Sequence, residues 1–156
     1  MSPTLVLGIG NVLMGDEGIG VHAVKALERD TWPAGVTLLD GGTGGFHLLE
    51  YLHDFPSIVL IDATMDGQSA GAVTVLRPKY ASDFPRVLTA HDIGLRDLIE
   101  ATVLTRPMPD ITLITVSIET IQSMVLTLSP AVEGSIPLVR QLVKKLLSEE
   151  REVAHA

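Results

Sequence analysis

Leu5-Val6-Leu7-Gly8-Ile9-Gly10-Asn11-Val12-Leu13-Met14-Gly15-Asp16-Glu17-Gly18-Ile19-Gly20 is the stretch whose reading decides the fold. Its head, Leu5 to Ile9, is a short continuous aliphatic run, the pattern of a buried strand. Gly10 to Gly18 is a glycine-rich loop. A helix follows over roughly Ile19 to Arg29, because Ile19, Ala23 and Leu27 fall at i, i+4 and i+8 with Val24 beside them.

The same alternation continues outward from that stretch. Val36 to Leu39 reads as a second strand ending in Asp40-Gly41-Gly42-Thr43-Gly44-Gly45, and a helix over Phe46 to His53 carries Leu48, Leu49 and Leu52 as its stripe. Ile58 to Ile61 is a third strand, with Asp62 just past its end. Ala72 to Leu76 is a fourth. The short glycine-containing connection Asp66 to Gly71 predicts that it pairs antiparallel to its neighbour. A helix covers about Gly94 to Thr102, with His91 and Asp92 at its entrance, and Ile111 to Val116 is a fifth strand. The last helix spans about Ala131 to Leu147. Ser129 and Pro130 form an N-cap and first-turn pair, and Pro137 either kinks this helix or marks its true start. The charged tail 148–156 is expected to fray.

Strands alternating with helices predict an α/β chain with a mostly parallel sheet covered on both faces, organised as one domain over residues 1–156. Composition agrees and excludes much else. Apolar residues make up 46% and charged residues 19%, with only one Trp, two Tyr and three Phe, so the core is aliphatic. There is no cysteine, which removes disulfides, zinc ribbons, iron–sulfur ligation and thiol catalysis. Eleven basic against nineteen acidic residues leave a net charge of −8, which argues against nucleic acid or an anionic membrane as partner. No signal-peptide pattern precedes the first strand, so a cytoplasmic setting is expected. With no aromatic-rich stripe for a partner copy, so is a monomer.

In open α/β sheets, ligands bind beyond the carboxyl ends of the strands. Asn11, Asp16 and Glu17 follow strand one; Asp40 and Thr43, strand two; Asp62 and Asp66, strand three; Ser117 and Glu119, strand five. His91 and Asp92 stand at a helix entrance. Each acid alone has an ordinary explanation as a cap, a turn former or a partner of a helix dipole. Crowded at one sheet edge they repel one another, which capping alone would not select. An oxygen-and-nitrogen donor set without sulfur suits a hard or borderline divalent cation.

Known motifs are mostly excluded. Gly8-Ile9-Gly10 invites a dinucleotide reading with Asp40 as ribose acid, but Leu13 stands where the third glycine belongs. Gly10 to Gly15 has P-loop spacing, but Asp16 replaces the phosphate-binding lysine and would repel an anion. Neither a nucleophile elbow nor a zincin helix is present.

Three blocks, Gly8 to Gly20, Leu39-Asp40-Gly41-Gly42-Thr43 and His91-Asp92-Ile93-Gly94-Leu95, with Ile61-Asp62-Ala63 between them, resemble the maturation endopeptidases of the [NiFe]-hydrogenase system. The resemblance implies a three-layer α/β/α domain with a twisted five-stranded sheet. It implies an endopeptidase, of aspartate or metal-dependent type, that removes a C-terminal extension from a hydrogenase large-subunit precursor once nickel is inserted. It implies a nickel-contacting triad of Glu17, Asp62 and His91, with the nickel delivered by the precursor and weakly held, if at all, by the free enzyme. It associates Asp40, Gly41, Gly42 and Thr43 with substrate handling. The general base stays open between Asp16 and Asp40. The segment Val116-Ser117-Ile118-Glu119-Thr120 departs from the family pattern by lacking a proline while keeping the acid Glu119. Three alternatives remain at this point: a non-catalytic nucleotide-binding module, a protein that binds the precursor without cutting it, and a generic α/β metallohydrolase acting on small substrates.

Overall fold

The aliphatic run forms β1 (Thr4–Gly8), every residue of it buried. In a computed structural model that describes residues 3–43, 45–80, 83–84 and 95–155, β1 lies inside a five-stranded sheet of order β2-β1-β3-β5-β4. The other strands are β2 (Val36–Asp40), β3 (Ser57–Thr64), β4 (Val73–Leu76) and β5 (Asp110–Ser117). β2, β1, β3 and β5 run parallel, in registers such as Gly8 opposite Asp40 and Ile61, and Asp62 opposite Thr115.

Alternation along the strands splits the core into two layers. Val6, Val59, Ile61, Ile114 and Val116 face one side. There they meet Ile19, Ala23, Val24 and Leu27 of α1 (Ile19–Leu27). Leu5, Leu7, Ile58, Leu60, Ile111 and Leu113 face the other. There they meet Leu52 of α2 (Leu49–Asp54) and Leu98 and Ile99 of α3 (Leu95–Thr105). The first layer is completed by α4 (Pro130–Glu133) and by Val139, Val143 and Leu147 of α5 (Ile136–His155). Asp30, just past α1, pairs with Arg140 of α5 at 2.7 Å and with Lys144 at 3.4 Å. The three-layer α/β/α architecture is the one expected.

Four details differ from the sequence reading or sharpen it. β4 does not pair with β3. It lies antiparallel on the far side of β5, with Val73 opposite Val116 and Leu76 opposite Leu113. The reason is burial: residues 111–117 of β5 are all buried and need a neighbour on each side. Val75 and Leu76 of β4 are exposed, which suits an edge. β3 is longer than its aliphatic run, because its pairing with β5 continues to Thr64 opposite Ser117. Asp62 therefore lies within the strand rather than past it. The last helix is two, and Pro137 marks the start of the longer one, as second residue of α5. α5 runs on to His155, through the segment where charge alone predicts fraying.

Candidate active site

The strand order reverses between β1 and β3, and the cleft at their carboxyl ends is where an open α/β sheet receives a ligand. Three backbone bonds build its floor. Ile9 N–H donates to Ile61 O at 3.0 Å, Gly41 N–H to Gly8 O at 2.8 Å, and Gly10 N–H to Gly42 O at 2.7 Å. The loop after β1 is thereby stitched to β3 on one side and to the Asp40–Thr43 turn on the other.

That loop ends in a 3-10 turn, Gly15–Gly18, which feeds straight into α1 and packs against β3. Its two acids are unusually deep, Asp16 at 2% exposure and Glu17 at 4%. Buried carboxylates need donors. Glu17 Oε2 accepts the Asn11 amide at 2.5 Å. Asp16 accepts Ser129 N–H at 2.7 Å on Oδ1, and on Oδ2 the Ser129 hydroxyl at 2.8 Å and Gln122 Nε2 at 3.3 Å. Ser129 occupies the N-cap position of α4, yet its side chain makes no capping bond. Its hydroxyl is spent on Asp16 instead.

Asp62 is half-buried near the end of β3, in register with Ile58 and Leu60, and so belongs to the face that α2 and α3 cover. Its Oδ1 accepts the Ala63 amide at 2.8 Å. Asp40 is the last residue of β2 and is exposed, with Oδ1 accepting the Gly42 amide at 2.8 Å. Gly41 is buried, Gly42 half-buried and Thr43 exposed in the turn that follows. His91 and Asp92 lie outside the described residues; α3, whose entrance they precede, lies on the Asp62 face. The cleft thus brings the turn bearing Asp16 and Glu17 against the strand bearing Asp62, with Asp40 on the opposite flank. Among the described residues no three His, Asp or Glu side chains converge as a complete metal cage. The carboxylates at this edge offer hard oxygen donors.

Past β3 and β5 the edge continues as an open groove of about 350 Å³, lined by Met65, Gly67, Gln68, Ser69, Ile118 and Glu119. Beside it, Asp66 accepts the Ser117 hydroxyl at 2.8 Å and Gln68 Nε2 at 2.7 Å. Desolvation pushes the Asp66 carboxyl up, but these bonds outweigh it and hold it below the usual range. Gln122 is the participant that the pattern of residues does not announce. It stands 106 positions from Asp16, and no local motif marks it.

The profile of the hydrogenase maturation protease family matches residues 21–146. The chain is 36% identical over 147 residues to the hydrogenase 2 maturation protease of Escherichia coli K12, covering 91% of this chain and 89% of that one. It is 35% identical to the hydrogenase expression/formation protein HupD of Rhodobacter capsulatus, covering 91% and 70%. In three dimensions it is similar to the hydrogenase maturating endopeptidase HybD from E. coli. The TM-score is 0.85 at 34% identity, over 95% of this chain and 93% of that chain.

Proposed function

This chain belongs to the hydrogenase maturation protease family, and on that premise we propose that it removes the C-terminal extension of a [NiFe]-hydrogenase large-subunit precursor carrying nickel. The observation that carries the proposal is the packing of the Glu17 turn against β3, the strand of Asp62, at the switch point of the sheet. In this reading Glu17, Asp62 and His91 contact the nickel brought in by the precursor, so the metal belongs to the substrate. When present, it would polarise a nearby carbonyl or lower the pKa of a water.

The remaining work falls to this chain. Asp40 is the exposed carboxylate of the cleft, and its position suits a general base that takes a proton from the attacking water. That makes the enzyme an aspartate-dependent peptidase in this reading. The backbone of residues 41–43 lies along the same flank, where an extended peptide would be held in register. Among the described residues no helix is long and apolar enough to cross a membrane. The setting proposed is the cytoplasm, with one copy of the chain acting on one precursor.

The test is to mix the purified protein with nickel-loaded and nickel-free precursor and to follow the precursor's mass. Shortening of the loaded form alone is expected. Equal cleavage of both forms would remove nickel from recognition, and cleavage of neither would overturn the proposal.

A further inference from the structure

Asp16 and Glu17 are adjacent, both buried and both acidic, yet their surroundings differ. Asp16 and Gln122 are paired reciprocally. Gln122 Oε1 accepts the Asp16 amide at 2.9 Å, while Gln122 Nε2 donates to Asp16 Oδ2 at 3.3 Å and to Thr120 Oγ1 at 2.9 Å. Ser129 supplies two further donors to the same carboxylate. Backbone bonds extend the junction: Gly15 N–H donates to Val125 O at 2.7 Å, and Val125 N–H to Leu13 O at 3.2 Å. Residues 120–129 therefore lie as a strap along the loop that carries Glu17. Gly15 leaves room for it. Its φ is +58°, and a Cβ there would lie 2.3 Å from Gln122 Oε1.

We infer that Asp16 is a positioning residue, and that Gln122 and Ser129 are its partners in holding the 3-10 turn that carries Glu17. Its carboxylate is too well occupied to act as a base. Three donors share its two oxygens, and it is 2% exposed. A general base must reach the proton it takes, directly or through one water. The inference rests on the proposed role of Glu17, and it assigns work to Gln122 that no motif suggests.

The pairing offers a test by exchange. Asp16→Asn places an amide NH₂ against the NH₂ of Gln122. Gln122→Glu places a carboxylate against that of Asp16. Combining D16N with Q122E restores one donor facing one acceptor, keeps the net charge and leaves the side-chain oxygen at position 16 for the Ser129 amide. Processing of nickel-loaded precursor and hydrogen exchange of the Ser129 amide are measured for wild type, both single variants and the double variant. Each single variant is expected to lose roughly ten- to a hundredfold in processing rate, as for a misplaced catalytic group, and to lose protection at Ser129. The double variant is expected to recover most of both. Ser129→Ala, a milder lesion, is expected to give a smaller loss in the same direction. A double variant protected at Ser129 but as inactive as D16N would make Asp16 a proton-transfer group and overturn the inference. So would single variants that process at the wild-type rate. If the wild type itself leaves the precursor uncut, the proposed function fails. The exchange data then decide the strap alone, and an unprotected double variant would reject it.

Discussion

Gly8 and Gly20 meet backbone against backbone: a Cβ on Gly8 would lie 2.1 Å from the carbonyl oxygen of Gly20. A Cβ on Gly20 would in turn lie 2.3 Å from both Ile61 O and Ile9 O. At Gly20 the backbone of α1 therefore rests directly on the backbone at the ends of the paired strands β1 and β3. That closeness sets the depth of the turn preceding α1, and hence the height of Glu17 above the sheet.

Gly20→Ala is accordingly expected to destabilise the protein. Alanine in a helix gains about 1 kcal/mol over glycine. Overpacking costs roughly 1–3 kcal/mol, and here the obstructing atoms are backbone that cannot rotate away, which places the cost at or above the top of that range. A net loss of about 2 kcal/mol in urea unfolding is expected from these two terms. An unchanged or higher midpoint would show that α1 shifts freely on the sheet.

The layers of this fold are written in local pattern. Leu5 to Ile9, Ile58 to Ile61 and Ile111 to Val116 are apolar-rich runs, the last interrupted by Thr112 and Thr115, because both faces of their strands are covered. The partner of β4 is not local. Its sequence is compatible with a hairpin on β3, and only the demand of β5 for two neighbours moves it to the edge. The site divides the same way. Asp40, Glu17 and Asp62 follow from the rule of strand ends and from the family resemblance. The reciprocal pairing of Asp16 with Gln122 joins residues 106 positions apart and leaves no periodic trace. Ser129 shows how a correct local expectation can hide a long-range role. It stands where an N-cap should be, and its hydroxyl serves Asp16.

His22, on α1, makes stability depend on pH. Its Nε2 is buried and has no hydrogen-bond partner among the described residues. Burial pushes its pKa below 6.5, Lys25 adds to the effect and Glu133 opposes it. The folded state therefore binds a proton less readily than the unfolded chain. Stability is fully present above the unfolded value and falls as pH drops through 6.5 toward the lower folded value. His22→Leu removes that titration. Urea midpoints measured from about pH 7.5 to about pH 5 are expected to fall less in the variant than in the wild type. Parallel curves would take His22 out of the pH response.

Asp40 and Asp62 are proposed to do different work, and their amide variants should separate it. In both, the side chain accepts a neighbouring backbone amide at 2.8 Å, from Gly42 and from Ala63, and an asparagine oxygen replaces that acceptor. Both variants should therefore fold with little change in stability. Asp40→Asn removes the proposed base, and processing of nickel-loaded precursor is expected to slow by about 10²- to 10⁴-fold, with binding preserved. Asp62→Asn instead removes the negative charge of the proposed ligand and replaces one of its two oxygens by NH₂. Its expected signature is weaker binding of loaded precursor and a smaller difference in affinity between loaded and nickel-free forms, with His91→Ala behaving alike. Isothermal titration with each form reads the affinity, and single-turnover mass measurements read the cut. A wild-type rate in Asp40→Asn would assign the proton to another group. Full discrimination in both Asp62→Asn and His91→Ala would separate nickel recognition from these side chains, even if cleavage itself were confirmed.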